Sequence, residues 1–201
     1  MGASSPLDKP RNFGNFQYHE GKMKILKAFL RDMGIVLVLG LLIFTGVHLT
    51  LEQVIVYQSS MHPTLQEGQR LFVSRAALYL NGPERGDIVI FTCPQYADNM
   101  PLVKRVVGLP NETIEIKSGL VYVNGSVLEE PYIEEPPDYV LNAVTVPENQ
   151  YFVLGDNRNV SNDSHCGWTV AKADIIGKVW VSVWPPETWG LIPAHTYAVE
   201  Q

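Results

Sequence analysis

Cysteine is scarce in this sequence. Cys93 and Cys166 are the only two, which excludes a multiply bridged secreted scaffold, and no C-x-x-C spacing offers a metal knuckle. Whether these two pair with each other stays open. Positive charge is also short: 15 Lys and Arg stand against 21 Asp and Glu, for a net charge of -6. No segment is basic enough to track a phosphate backbone, so no nucleic-acid partner is expected. No set of histidines, cysteines and carboxylates has zinc-ligand spacing, so no metal and no cofactor are expected. Internal repeats and low-complexity stretches are missing. There is one long apolar run and no second one.

The charge that is there is unevenly spread. Residues 1–32 carry six basic and three acidic side chains, net +3, and residues 53–201 carry nine and seventeen, net -8, which with Glu52 gives the total of -6. Between the two lies Met33 to Leu51, nineteen residues without a formal charge. As a helix this run is about 28 Å long, close to the ~30 Å hydrocarbon core of a bilayer. Lys22, Lys24, Lys27 and Arg31 precede it, which by the positive-inside rule puts the N-terminus in the cytoplasm and residues 53–201 outside. The segment after the run, Thr50-Leu51-Glu52-Gln53-Val54, has no small-x-small cleavage site. The expected order is a cytoplasmic tail (1–32, structureless over 1–21), a transmembrane anchor (33–51) and an extracytoplasmic domain (53–201).

Beyond the anchor the pattern becomes short β-branched and aromatic runs, with Gly, Pro, Asn and Asp between them. Strands are expected near 71–73, 87–91, 103–107, 113–116, 121–123, 151–154 and 179–183, and a short helix near Arg75 to Leu78. Asn124-Gly125 between two such runs predicts a tight hairpin. Residues 129–150, rich in Glu and Pro, read as loop, and 109–150 as a smaller inserted hairpin or cap. The fold class expected is mainly β, an antiparallel sheet or barrel.

Three segments carry candidate chemistry. Gln58-Ser59-Ser60-Met61-His62-Pro63 lies just past the anchor, and Pro63 bars a regular helix and biases His62 to extended backbone. On a strand through Leu102 to Gly108, Lys104 shares a face with Leu102 and Val106. Desolvation there lowers an amine pKa, and a lysine must be lowered from about 10.4 before it can act as a base near neutrality. Gly155 to His165 is a dense polar cluster after the apolar strand Tyr151 to Leu154, placed to supply hydroxyls and carboxylates to a site.

Taken in order, Ser60-Met61-His62-Pro63-Thr64-Leu65, Arg85-Gly86-Asp87-Ile88-Val89, Lys104-Arg105-Val106-Val107-Gly108-Leu109-Pro110, and Gly155-Asp156-Asn157-Arg158 with Ser161, Asp163 and Ser164 resemble type I signal peptidases, the leader-peptidase group of Ser/Lys proteases. The resemblance implies a signal-peptidase-type β domain behind one anchor. It implies Ser60 as nucleophile and Lys104 as general base, with Ser161 hydrogen-bonded to the Lys104 amine. The Ser60 backbone N–H would help form the oxyanion hole. Many members have Ser where Gln58 stands, so Gln58 is the candidate second donor. Val56, Tyr57, Met61, Leu65, Leu102 and Val103 match positions that line shallow substrate pockets. Arg105, Asp156, Arg158 and Asp163 would tie the third segment to the second. Position 165 is usually Arg and here is His, which weakens any pairing with Asp163. The partners implied are signal-peptide-bearing precursors and membrane lipid.

Two rivals remain at this stage. One is a Ser-His-Asp arrangement with His165 and Asp163. The other is a non-catalytic anchored relative that binds export substrates, motivated by Gln58 and His165. Four N-x-S/T sequons begin at Asn111, Asn124, Asn159 and Asn162. A glycan on Asn159 would obstruct Ser161, so a bacterial membrane or one of bacterial origin is expected.

Overall fold

The computed structural model describes residues 13–93, 100–192, 195 and 197. The chain divides into two units between His48 and Leu49. The first is a single helix, α1 (Phe13–Thr50). No proline lies between Pro10 and Pro63, and the Lys, Leu, Met and Ala of residues 22–30 are good helix formers. The helix therefore starts well before the apolar run. Residues 13–21 are helical where a structureless tail was expected; residues 1–12 lie outside the described residues. Its stretch Met23–His48, 26 residues, is long and apolar enough to cross a membrane. Its large apolar side chains, among them Ile25, Phe29, Leu37, Leu42 and Phe44, are exposed. Leu51, the expected last anchor residue, instead opens the first strand.

The second unit is antiparallel β. Its strands are β1 (Leu51–Ile55), β2 (Arg70–Ser74), β3 (Ile88–Phe91), β4 (Leu102–Gly108), β5 (Thr113–Lys117), β6 (Leu120–Val123), β7 (Ser126–Val127), β8 (Leu141–Thr145), β9 (Gln150–Leu154), β10 (Val170–Ala171), β11 (Ile175–Trp184) and β12 (Gly190–Leu191). A short helix, α2 (Ala76–Asn81), follows β2. The larger sheet runs β1-β2-β11-β3-β4-β9-β10, with β12 on β11. Register shifts on β11 and β4 bend it, since each bulge adds local twist. The smaller sheet, β7-β6-β5-β8, occupies the expected insertion. Asn124 and Gly125 both have positive φ, which a two-residue hairpin between twisted strands requires. β8 falls inside the segment read as loop. Four of its five residues are exposed, so its sequence has no buried-face alternation to announce it.

Three apolar clusters hold the domain. Phe91, Leu102, Val106, Tyr151 and Val153 belong to the first. Val56, Met61, Leu65, Leu71, Ile88 and Ile90 belong to the second, with Val103 packed against it. Val107, Ile114, Ile116, Phe152 and Leu154 form part of the third, which joins the small sheet to the large one. Each fully buried side chain of this size contributes about 1.5–3 kcal/mol. β4 supplies residues to all three, so both its faces are covered. Lys104, between Leu102 and Val106 by strand alternation, therefore projects into a dry side of the sheet.

Candidate active site

Ser59–Met61 form one turn of 3-10 helix, flanked by extended backbone at Gln58 and His62. The Ser60 hydroxyl is thus presented from a tight turn, while His62 keeps the extended backbone expected before Pro63. His62 N–H donates to Ser59 O at 3.0 Å and Leu65 N–H to Met61 O at 2.8 Å. Met61 and Leu65 are buried in the second cluster. They pin the turn from below, leaving Ser60 8% exposed.

Across from the turn, Lys104 Nζ lies 2.6 Å from Ser60 Oγ. Lys104 is 1% exposed. Burial pushes its amine down from 10.5 to about 8, against the pull of Asp163 and Asp156, which favour the charged form. At pH 8 an ordinary exposed lysine is neutral in roughly 0.3% of molecules. An amine shifted to about 8 is neutral in half of them. A neutral amine in hydrogen-bond reach of a hydroxyl is what serine activation by lysine needs.

The neighbouring residue, Arg105, anchors the strand to the polar loop after β9. Its Nε donates to Asp156 Oδ1 at 2.8 Å and its Nη2 to Asp156 Oδ2 at 2.7 Å. Its Nη1 donates to Gly86 O at 2.8 Å. Both partners of this forked pair are buried. Asn157, next in sequence, grips the nucleophile turn: its backbone N–H donates to Ser60 O at 3.0 Å and its Nδ2 to Ser59 O at 3.3 Å. Asp163 Oδ2 accepts from Gly155 N–H at 2.9 Å. These contacts connect the strand that holds Lys104 to the turn that holds Ser60.

A family model described as signal peptidase, peptidase S26, matches residues 27–184. The chain belongs to that family. The chain is 39% identical to signal peptidase I of Leptolyngbya laminosa over 172 residues, 82% of each chain. It is 42% identical to the probable signal peptidase I-1 of Synechocystis sp. over 144 residues, 69% of this chain and 74% of that one. It is 36% identical to thylakoidal processing peptidase 1 of Arabidopsis thaliana over 137 residues, 64% of this chain and 40% of that one. As a member of this family the protein is a serine peptidase, a hydrolase.

Several sequence-expected residues of this peptidase stand elsewhere than expected. The Ser161 hydroxyl is buried, has no hydrogen-bond partner and so is not bonded to Lys104; it lies beside Gly155. Arg158 does not reach β4. Its Nη1 and Nη2 donate to Glu130 at 2.7 and 2.5 Å, and its Nε to Gly155 O at 3.1 Å. Gln58 is exposed and makes no side-chain capping bond. Of the six pocket residues, Val56, Met61, Leu65 and Val103 share one cluster. Leu102 belongs to the first cluster, since it points from the opposite face of β4. Tyr57 is 66% exposed.

His165 does not serve Ser60. Its Nδ1 lies 2.7 Å from Asp163 Oδ1, its Nε2 lies 3.3 Å from Cys166 Sγ, and its ring stacks on Tyr139. The pairing with Asp163 therefore forms with His in place of Arg. Both cysteines are free thiols. Among the described residues no group of three or more His, Cys, Asp and Glu is arranged to hold a metal ion. Sequence reading gave no role to Gly155, Asn157, Glu130 or Tyr132. Asn157 stood inside a quoted motif. Glu130 and Tyr132 lay in the segment read as loop, where nothing in the pattern singles them out.

Proposed function

We propose that this peptidase removes signal peptides from exported precursors with Ser60 as nucleophile and neutral Lys104 as base, from a site tethered to a membrane by α1. Lys104 Nζ takes the Ser60 proton as Oγ attacks the scissile carbonyl carbon. The resulting ammonium protonates the leaving amine as the tetrahedral intermediate collapses to an acyl-enzyme. Water then gives a proton to Lys104 as it attacks the ester, and the resulting ammonium returns it to Ser60 Oγ. The oxyanion is held by the Ser60 backbone N–H with Gln58 as second donor, each such donor being worth ~3 kcal/mol. Ser161 Oγ accepts a hydrogen bond from Lys104 once the amine is protonated and carries a third N–H. Val56, Tyr57, Met61, Leu65, Leu102 and Val103 meet small substrate side chains at alternate positions of an extended chain.

Membrane attachment rests on the length and apolarity of Met23–His48. Lys24, Lys27 and Arg31 near its start support a cytoplasmic N-terminus and a catalytic domain on the far side. Trp180 and Trp184 of β11, Leu191 of β12 and Trp189 just before it are at least half exposed, which suits contact with a headgroup region. Bacterial and thylakoidal relatives favour a bacterial membrane or one of bacterial origin.

The single observation that carries the reading is the 2.6 Å contact between a buried lysine amine and a serine hydroxyl. Its test is single-turnover cleavage of a signal-bearing precursor by full-length protein in detergent. Ser60→Ala and Lys104→Ala are each expected to yield no product, and His165→Ala to keep cleaving. Lack of product from the unaltered protein in large excess would support a non-catalytic anchored binder instead.

A further inference from the structure

Arg105 also meets an aromatic face. Its guanidinium carbon lies 4.0 Å over the ring centroid of Tyr132. Tyr132 Oη donates to Glu130 Oε1 at 2.7 Å, and lies 2.6 Å from Tyr197 Oη. A phenol has one proton, and that of Tyr132 goes to a carboxylate that only accepts. Tyr197 is therefore the donor to Tyr132. Glu130 also receives both Nη groups of Arg158. His195 packs edge-on against both phenol rings, at 5.5 and 4.6 Å. The chain of contacts joins residues far apart in sequence to the one guanidinium that holds Asp156.

We propose that Tyr132, steadied by Tyr197, is a positioning residue that presses the Arg105 guanidinium flat against Asp156 and so keeps the Lys104 strand aligned with the Ser60 turn. This rests on the Ser60–Lys104 reading. A guanidinium makes its forked carboxylate contact only when its plane is fixed, and an aromatic face fixes that plane. Asn157, the next residue after Asp156, holds Ser60 O and Ser59 O. Loosening the stack has a second effect. The charged groups acting on Lys104 are Asp156 and Asp163 from the polar loop, with Arg105 beside it on β4 and His165 paired to Asp163. A freed Arg105 neutralises Asp156 less and admits water. Both changes favour the ammonium, so more alkali is needed to activate the enzyme.

The test compares pH profiles of precursor cleavage by full-length Tyr132→Leu, Tyr132→Phe and Tyr197→Leu proteins in detergent. Tyr132→Leu is expected to lower kcat by about tenfold with KM within about twofold, and to move the acid limb up by about half a pH unit. Tyr132→Phe, which keeps the ring over Arg105, restores most of both. Tyr197→Leu gives a smaller loss in the same direction. A folded Tyr132→Leu protein with unchanged kcat and an unmoved limb overturns the proposal. Where Tyr132→Leu fails to fold, an unmoved limb in Tyr197→Leu does so. Cleavage persisting in parallel Ser60→Ala or Lys104→Ala controls defeats the serine–lysine reading itself; inert controls beside unchanged tyrosine variants defeat this proposal alone.

Discussion

Gly155 leaves no room for a side chain beside Ser161. A Cβ added there would come 2.2 Å from Ser161 Oγ and 2.4 Å from Ser60 O. Gly155→Ala must push the polar loop off the nucleophile turn. Overpacking of this kind costs about 1–3 kcal/mol, and a shift near 1 Å at the reacting groups costs about a hundredfold in rate. Denaturant melts and kcat measurements on the same preparation should show a modest loss of stability beside a large loss of activity.

The Arg105–Asp156 pair is fully buried. Asp156→Asn removes the counter-charge while leaving the guanidinium in place. Breaking a buried pair from one side typically costs about 3–5 kcal/mol. A urea melt of the variant should show a loss in that range, well above the effect of removing an exposed pair such as Arg31–Asp32.

Lys104 opposes folding while it is charged. Its amine titrates at about 8 in the fold, lowered by burial from 10.5. Between those two values the unfolded chain binds more protons than the folded one, so stability from this group rises with pH across that window. Below pH 8 the full cost is present, about 3 kcal/mol as an order of magnitude. Lys104→Met should therefore be more stable than the natural protein at pH 7 and inactive. The difference should shrink as pH rises from 8 to 10.5, and melts across that range would measure it.

Ser161 carries a buried hydroxyl without a partner, which costs about 1–3 kcal/mol in desolvation. Ser161→Ala should leave stability unchanged or raised. On the proposed role of Ser161 as acceptor for the Lys104 ammonium, cleavage should nevertheless fall by about tenfold or more. Unchanged kcat in a Ser161→Ala protein would remove this residue from the mechanism.

Much of this was legible in the amino acids, and the failures have physical causes. Alternation along Leu102 to Gly108 placed Lys104 between apolar neighbours, and Asn124-Gly125 marked its hairpin. Local pattern alone did not single out Ser60 and Lys104; the resemblance did, and β4 and the 3-10 turn bring the two within 2.6 Å across 44 residues of sequence. β8 was missed because exposed strands carry no period-2 signal. The helical start at Phe13 was missed because scattered Gly and Asn read as disorder. Glu130, the partner of Arg158, could not be read because it lies 28 residues away in a segment whose local pattern says only loop. Long-range pairings of this kind follow from topology, which local pattern does not encode.

The most direct measurement is the pH dependence of kcat/KM for precursor cleavage by the full-length protein. The serine–lysine account predicts activity rising through an apparent pKa of about 8, set by the buried Lys104 amine, and no activity at any pH in Lys104→Ala. An acid limb near 6.5, the ordinary histidine range, that vanished in His165→Ala while Lys104→Ala still cleaved would contradict it.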